Sequence, residues 1–176
     1  MKQSKKSISS NLGLNLGLIL TAVTVSSYAI NTELLLKWWL GLISLFLAIT
    51  LGIISIKKNK TISGGLIDFK SAFTSFFITT SIGIGISVLS SIIIFNIIDV
   101  DSATMLNEKM ILIQKENMIK FGAPEELVSK TMEELKDKNN FSISSQIQGG
   151  VFYLAFISLI GLVVSAIMKK SNANQI

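Results

Sequence analysis

The chain contains no cysteine, no histidine and no arginine, has one proline (Pro124), and carries charged side chains at only 15% of its 176 positions. Each absence excludes something. Without cysteine there are no disulfides, no thiolate nucleophile and no c-type haem attachment. Without histidine as well, Cys/His zinc sites and every histidine-dependent catalytic triad are gone. All sixteen cationic side chains are lysine. Despite a net charge of +5 and a pI near 9.5, the forked guanidinium contacts of nucleic-acid readers are missing, so no nucleic-acid partner is expected. The charged fraction lies well below the roughly 25% of a typical soluble protein, whereas 49% of residues are hydrophobic and the mean hydropathy is +0.60. A soluble domain of this size cannot hide that much apolar surface. A small membrane protein is implied, with the lipid bilayer as its first expected partner.

What the sequence does contain is long charge-free runs. A hydrocarbon core about 30 Å thick needs about 20 apolar helical residues. Four stretches qualify: about 12–30, 34–56 with the single Lys37, 71–98 and 147–168. Each is too long for a core strand, and lipid tolerates no unpaired backbone groups, so each reads as a spanning helix. The expected fold is all-α: an integral membrane four-helix protein with an extramembrane helical hairpin between helices three and four. The first run has a second reading. Lys2, Lys5 and Lys6 precede it, and Ser27-Tyr28-Ala29 places small residues at the −3 and −1 positions of a signal-peptidase site. The apolar stretch exceeds the roughly 7–15 residues of a usual signal sequence, so retention is the expectation and cleavage after Ala29 the alternative.

Lysine placement sets the expected orientation. Lys2, Lys5 and Lys6, then Lys57, Lys58 and Lys60, then Lys169 and Lys170 sit directly against span ends, whereas most lysines of the 99–146 segment lie well inside it. Both termini are therefore expected in the cytoplasm, with 99–146 on the other side of the membrane. That segment holds six lysines against nine carboxylates, a net of −3. Asp101 is placed to cap a helix over about 102–121 that Gly122 ends. Pro124 opens a second, with Glu125 and Glu126 suited to the helix dipole. Val128, Met132 and Leu135 give that second helix one apolar face. Glu126 with Lys130 and Glu134 with Lys138 are spaced for i, i+4 ion pairs. Before the third span, Ser63-Gly64-Gly65 breaks the chain, and Leu66, Ile67, Phe69 and Phe73 suggest an interfacial lead-in that makes the third helix about 33 residues long.

Candidate chemistry is sparse. Asp99-Val100-Asp101 has the form of a metal-binding DxD, but it lacks the further oxygens a divalent site needs and is explained by a helix exit and a helix cap. Glu125/Glu126 and Glu133/Glu134 have lysines at helical spacing and read as a solvated face. Gly83-Ile84-Gly85 lies inside an apolar run without the rest of a phosphate loop. No catalytic residue, metal or cofactor is expected. The pattern that remains is helix packing: Gly13 and Gly17 beside Asn11 and Asn15, then Ser81, Gly83, Gly85 and Ser87, then Gly161 and Ser165, spacings that let backbones approach closely in lipid. Leucine at Gly83 or at Gly85 is expected to separate neighbouring helices at a cost of about 1–3 kcal/mol. Lys37, Trp38 and Trp39 form an interfacial anchor. No ionisable residue lies near the middle of any run, which disfavours a solute path. The expected role is a non-catalytic membrane subunit or accessory interaction protein, with membrane-protein partners or a homo-oligomer; the alternative is a small oligomeric transporter or channel-like protein.

Phe69, Ala72 and Phe73 within GGLIDFKSAFTSFF, Asp99 within IIDVD, the acidic helical segment and the terminal Lys169-Lys170 carry a resemblance. In this order the chain resembles domain-of-unknown-function family 4199 over nearly its whole length. That family often has proline after the Asp, where this chain has Val100. The resemblance implies a small bacterial multi-pass membrane protein without assigned activity, and no catalytic or ligand residues.

Overall fold

A computed structural model describes residues 4–170; Lys2 of the N-terminal basic cluster lies outside the described residues. Helix α1 runs Lys5–Ile30, with the Ser4 hydroxyl accepting the Ser7 N–H at 3.2 Å. A 3-10 turn, Thr32–Leu36, leads to α2, Trp38–Ile62, and then α3, Phe69–Ile93, which widens into a π-helical turn over Ile94–Ile98. Helices α4, Val100–Lys120, and α5, Glu125–Lys136, follow, and α6, Ile143–Met168, closes the chain. The architecture is all-α. Among the described residues, four helices are long and apolar enough to cross a membrane: Lys5–Ile30, Trp38–Ile62, Phe69–Ile98 and Ile143–Met168.

Cross-helix hydrogen bonds fix the directions. Ser9 in α1 meets Ser55 in α2 at 2.9 Å, and the Thr79 hydroxyl of α3 donates to the Ser9 carbonyl at 3.0 Å. At the far ends of α1 and α3, the Tyr28 hydroxyl donates to Asp99 at 2.5 Å. Helices α1 and α3 therefore run parallel, and α2 and α6 run antiparallel to them. At the shared end of α2 and α6, the Lys60 ammonium donates to the Met168 carbonyl at 2.9 Å, a cation on the negative end of the α6 dipole. Ile67 and Lys170 exchange backbone hydrogen bonds of 2.9 and 2.8 Å beside it. Helix α3 packs against α1, α2 and α6, most extensively against α1. Leu16, Ala48, Ile56, Ala72, Phe76 and Ile157 are fully buried among these helices. A second core of Ile94, Phe95, Ala103 and Leu106, flanked by Tyr28, Leu35, Leu36 and Phe141, joins the bundle to α4.

The bounds differ from the expected ones for local reasons. Leu34–Leu36 do not extend the second span: the Asn31 side chain accepts the Glu33 N–H at 2.9 Å, starting a 3-10 turn, and Leu35 and Leu36 pack into the second core. At its other end α2 continues through Lys57, Lys58 and Lys60 to Ile62, because lysine is a good helix former and its stem lies along apolar surface. Of the expected lead-in, Leu66 and Ile67 are not helical, whereas Phe69 and Phe73 lie in α3. Asp68 caps α3, accepting the Ser71 N–H at 2.8 Å, so the continuous helical segment is 30 residues, Phe69–Ile98, not 33 from Leu66. Asp99, not Asp101, caps α4: its carboxylate accepts the Ser102 N–H at 2.9 Å and leaves Asp101 in the first turn. Gly122, at φ +75°, ends that helix in the left-handed conformation, with the Ala123 N–H reaching back to the Met118 carbonyl at 3.0 Å. The expected pairs Glu126–Lys130 and Glu134–Lys138 are not formed. Among the described residues the only ion pair is Lys109 with Glu33, and Lys138 lies beyond the end of α5.

Candidate functional site

Small residues along the α1–α3 contact set how closely the two backbones approach. A Cβ at Gly13 would lie 2.8 Å from the Ile82 Cβ and 2.9 Å from the Thr79 carbonyl oxygen; one at Gly17 would lie 2.6 Å from the Ile86 Cβ. From the other side, a Cβ at Gly83 would lie 2.5 Å from the Leu16 side chain. The expected packing residue Gly85 differs: nothing lies within 4 Å of its Cβ position, since it sits two residues along α3 from Gly83 and faces outward. The Ser81 and Ser165 hydroxyls are buried without a hydrogen-bond partner among the described residues. Ser87, together with Tyr153, Gly149 and Gly150, borders a cavity of about 290 Å³. Gly161 meets Phe76, whose ring lies between it and Gly52: a Cβ on either glycine would come within 2.5 Å of ring carbons. Lys37 and Trp38 are exposed at the start of α2, and Trp39 is at the edge of exposure.

The strongest polar feature was not expected from the sequence. Asn59, fully buried, donates to the Ser9 hydroxyl at 2.9 Å and the Ser75 hydroxyl at 2.7 Å, while Ser55 donates to the Ser75 carbonyl at 3.0 Å. One carboxamide thus joins α1, α2 and α3. Asn59 lies within a lysine-rich run and reads as part of a solvated connector. The available signal was its helical register, since Gly52, Ser55 and Asn59 fall on one face once α2 is extended. The donors of these hydroxyl and carboxamide groups are engaged within the bundle, while the Asn59 Oδ1 is buried without a partner among the described residues, and no nucleophile has a base beside it. Among the described residues, no group of three carboxylates could hold a metal ion.

At the opposite end, Asp99 links α1, α3 and α4. Its carboxyl is held below the usual carboxylate range by the Ser102 hydroxyl first, then by the Tyr28 hydroxyl and the Ser102 N–H. Because the folded-state pKa is depressed, the stabilisation is present above the unfolded value of about 3.9 and is lost as pH falls through the folded one. Asparagine keeps the cap but not the charge. Wild type is therefore expected to melt above Asp99→Asn at pH 7, with the gap closing below about pH 4. Thermal melts of the purified chain check this; a gap unchanged down to pH 3 would place its origin elsewhere. Nearby, Glu33 is likewise held low, chiefly by its hydrogen bond from Lys109. Helices α4 and α5 beyond this junction expose Leu112, Ile119, Phe121 and Leu127.

These features define a class: an all-α bundle of four span-length helices, closed by small residues and a buried hydrogen-bond network, with a helical pair between the third and fourth. The family described as "Protein of unknown function (DUF4199)" matches residues 11–170, and the chain belongs to that family. No curated protein and no solved structure matches the chain.

Proposed function

We propose that this chain is a non-catalytic, membrane-embedded interaction protein that assembles with a second copy of itself through α1. The observation that carries the reading is the position of Asn11 and Asn15. Both are exposed, on the outward face of α1 among Leu14, Leu18 and Ile19 rather than in the bundle interior. Asn15 lies about 15 Å along the helix from Lys5, close to the centre of a hydrocarbon core about 30 Å thick. A carboxamide facing lipid there is costly, whereas two copies related by a two-fold axis satisfy it, because asparagine both donates and accepts. Interhelical bonds of this kind contribute about 0.6–1.7 kcal/mol each in lipid.

The proposed setting is a bacterial inner membrane with both termini cytoplasmic. Lys5, Lys6, Lys57, Lys58, Lys60, Lys70, Lys169 and Lys170 all belong to the end of the bundle where α1 and α3 start and α2 and α6 finish, which supports that orientation. The length of α1 packed against α3 supports its retention as a span. The cavity beside Tyr153, bordered by Ser44 and Ser87 as well, favours the second reading, a small oligomeric transporter. The absence of charge at mid-span weighs against it.

Introduced cysteines test the proposal cleanly in a chain that has none. Leu18→Cys, with Asn11 and Asn15 intact, is expected to form a disulfide-linked dimer in membranes. Adding Asn15→Leu should abolish most of that dimer, and Phe46→Cys on α2 should stay monomeric. Phe121→Cys, at an 85% exposed position, should react with an impermeant maleimide on intact cells. Equal cross-linking at positions 18 and 46 would remove the specific interface, and labelling of position 121 only after lysis would reverse the orientation.

A further inference from the structure

Between the first turns of α1 and α3 lies a cleft of about 240 Å³ that the packing and hydrogen-bond network do not fill. It is lined by three lysines, Lys5 and Lys6 from α1 and Lys70 from α3, together with Ser71, Thr74 and the apolar Ile78. The convergence follows from the fold. Thr79 bonded to the Ser9 carbonyl, and Asn59 bonded to both Ser9 and Ser75, hold the two parallel helices side by side at their starts. Ser9 and Ser75 also border the cleft, and both are buried and already hydrogen-bonded, so the floor is rigid.

Around the cleft, lysines outnumber carboxylates. None of the three lysines forms an ion pair within 4 Å among the described residues. Asp68, the carboxylate that feels Lys5, is engaged in capping α3 through the Ser71 N–H at 2.8 Å and the Ser71 hydroxyl at 2.7 Å. Three neighbouring cations at the mouth of a small cleft leave a local positive charge that a compact anion with several acceptor oxygens would balance. A phosphate fits that description. The apolar side argues for a phosphate carried on a lipid. Beside Lys70 and Thr74 on α3, the rings of Phe69, Phe73 and Phe77 stack with centroids 6.5 and 5.8 Å apart, forming an aromatic track along the helix from the level of the lysines.

We propose that this cleft binds the phosphate of an anionic phospholipid headgroup, with an acyl chain lying along the Phe73–Phe77 track. The proposal rests on the membrane reading above and on its orientation, which puts the cleft at the cytoplasmic leaflet, where basic pockets between spans take up anionic lipid.

Lipid titration of the full chain in a neutral detergent tests it, with thermal midpoint as the readout. Dioleoyl phosphatidylglycerol is expected to raise the midpoint saturably, while dioleoyl phosphatidylcholine and inorganic phosphate do not. Lys6→Gln with Lys70→Gln should shift the phosphatidylglycerol titration at least about tenfold to higher concentration, a loss of roughly 1.4 kcal/mol. Lys57→Gln with Lys58→Gln, which removes the same charge from the same end of the bundle on α2, should leave it within about twofold. Equal shifts for the two pairs would reduce the effect to diffuse surface charge and overturn the site. Stabilisation by inorganic phosphate at the same concentrations would reassign the cleft to a free anion, and an equal response to phosphatidylcholine would remove its charge selectivity. Alkaline extraction of membranes separates the two levels: a chain released by carbonate refutes the membrane reading, whereas a retained chain with equal shifts refutes only the lipid site.

Discussion

Alanine at Gly83 is expected to lower the thermal stability of the purified chain markedly, and alanine at Gly85, two residues away, to leave it unchanged or slightly raised. A methyl group at Gly83 would sit 2.5 Å from Leu16 carbons. Leu16 is fully buried in the central core. The added carbon must push α1 away from α3 or force Leu16 off its rotamer, at a cost of about 1–3 kcal/mol. At Gly85 the same methyl meets nothing within 4 Å, so only helix propensity acts, worth up to about 1 kcal/mol in alanine's favour. Thermal aggregation midpoints in one detergent decide the matter. Equal midpoints for the two variants would mean that the α1–α3 approach is not set by this contact.

The four span-length helices were legible because charge-free runs of this length admit one physical solution. Their ends were not, because the terminal turns are decided by capping and packing rather than by hydropathy. Asn31 and Asp68 each start a helical turn through a side-chain cap, and Leu35 and Leu36, apolar enough for a span, are drawn into the second core instead. The exchange of Asp101 for Asp99 as the cap has the same origin: either carboxylate suits the position, and the Tyr28 hydroxyl engages Asp99. The small-residue pattern was legible as a pattern but not as a face. Gly83 and Gly85 look alike in sequence, yet two residues turn the chain by about 200° around a helix, which puts one against Leu16 and the other outside. Asn59 was hidden by its lysine neighbours, and Asn11 and Asn15, noticed beside Gly13 and Gly17, lie on the opposite side of α1 from the packed seam.

That outward placement separates two uses of polar groups in one bundle. Asn59, Ser9, Ser55, Ser75 and Thr79 face inward and are bonded across helices, so they hold α1, α2 and α3 in register without offering donors to anything else. Asn11 and Asn15 face outward and are free to bond another chain. Apolar packing alone is a weak organiser in lipid, where the tails are as apolar as the side chains. On the proposed membrane reading, the register depends on the buried hydrogen bonds and on the closest backbone approaches, and perturbing either acts on stability through shape rather than through transfer from water.

A glycine contact as close as that at Gly83 surrounds Phe76, and there the sign of a substitution is expected to reverse with its background. The ring is fully buried, one edge toward Gly52 of α2 and the other toward Gly161 of α6, with either glycine's absent Cβ only 2.5 Å from ring carbons. In wild type, Gly161→Ala should cost about 1–3 kcal/mol, because the ring cannot retreat from one glycine without striking the other. Phe76→Ala removes the ring and leaves a cavity between three helices, a change that costs roughly 3–5 kcal/mol in soluble cores and less where lipid replaces water as the reference. In that background the new methyl at position 161 projects into empty space and restores lost contacts, so Gly161→Ala should be neutral or stabilising. The coupling energy from the double-mutant cycle should then be about 1–3 kcal/mol, with Gly52→Ala giving a second cycle of the same sign. Thermal midpoints of the four proteins in each cycle supply the measurement. If Gly161→Ala costs the same with and without the ring, Phe76 is not what the glycine accommodates, and the three-helix junction must be held by contacts elsewhere on α6.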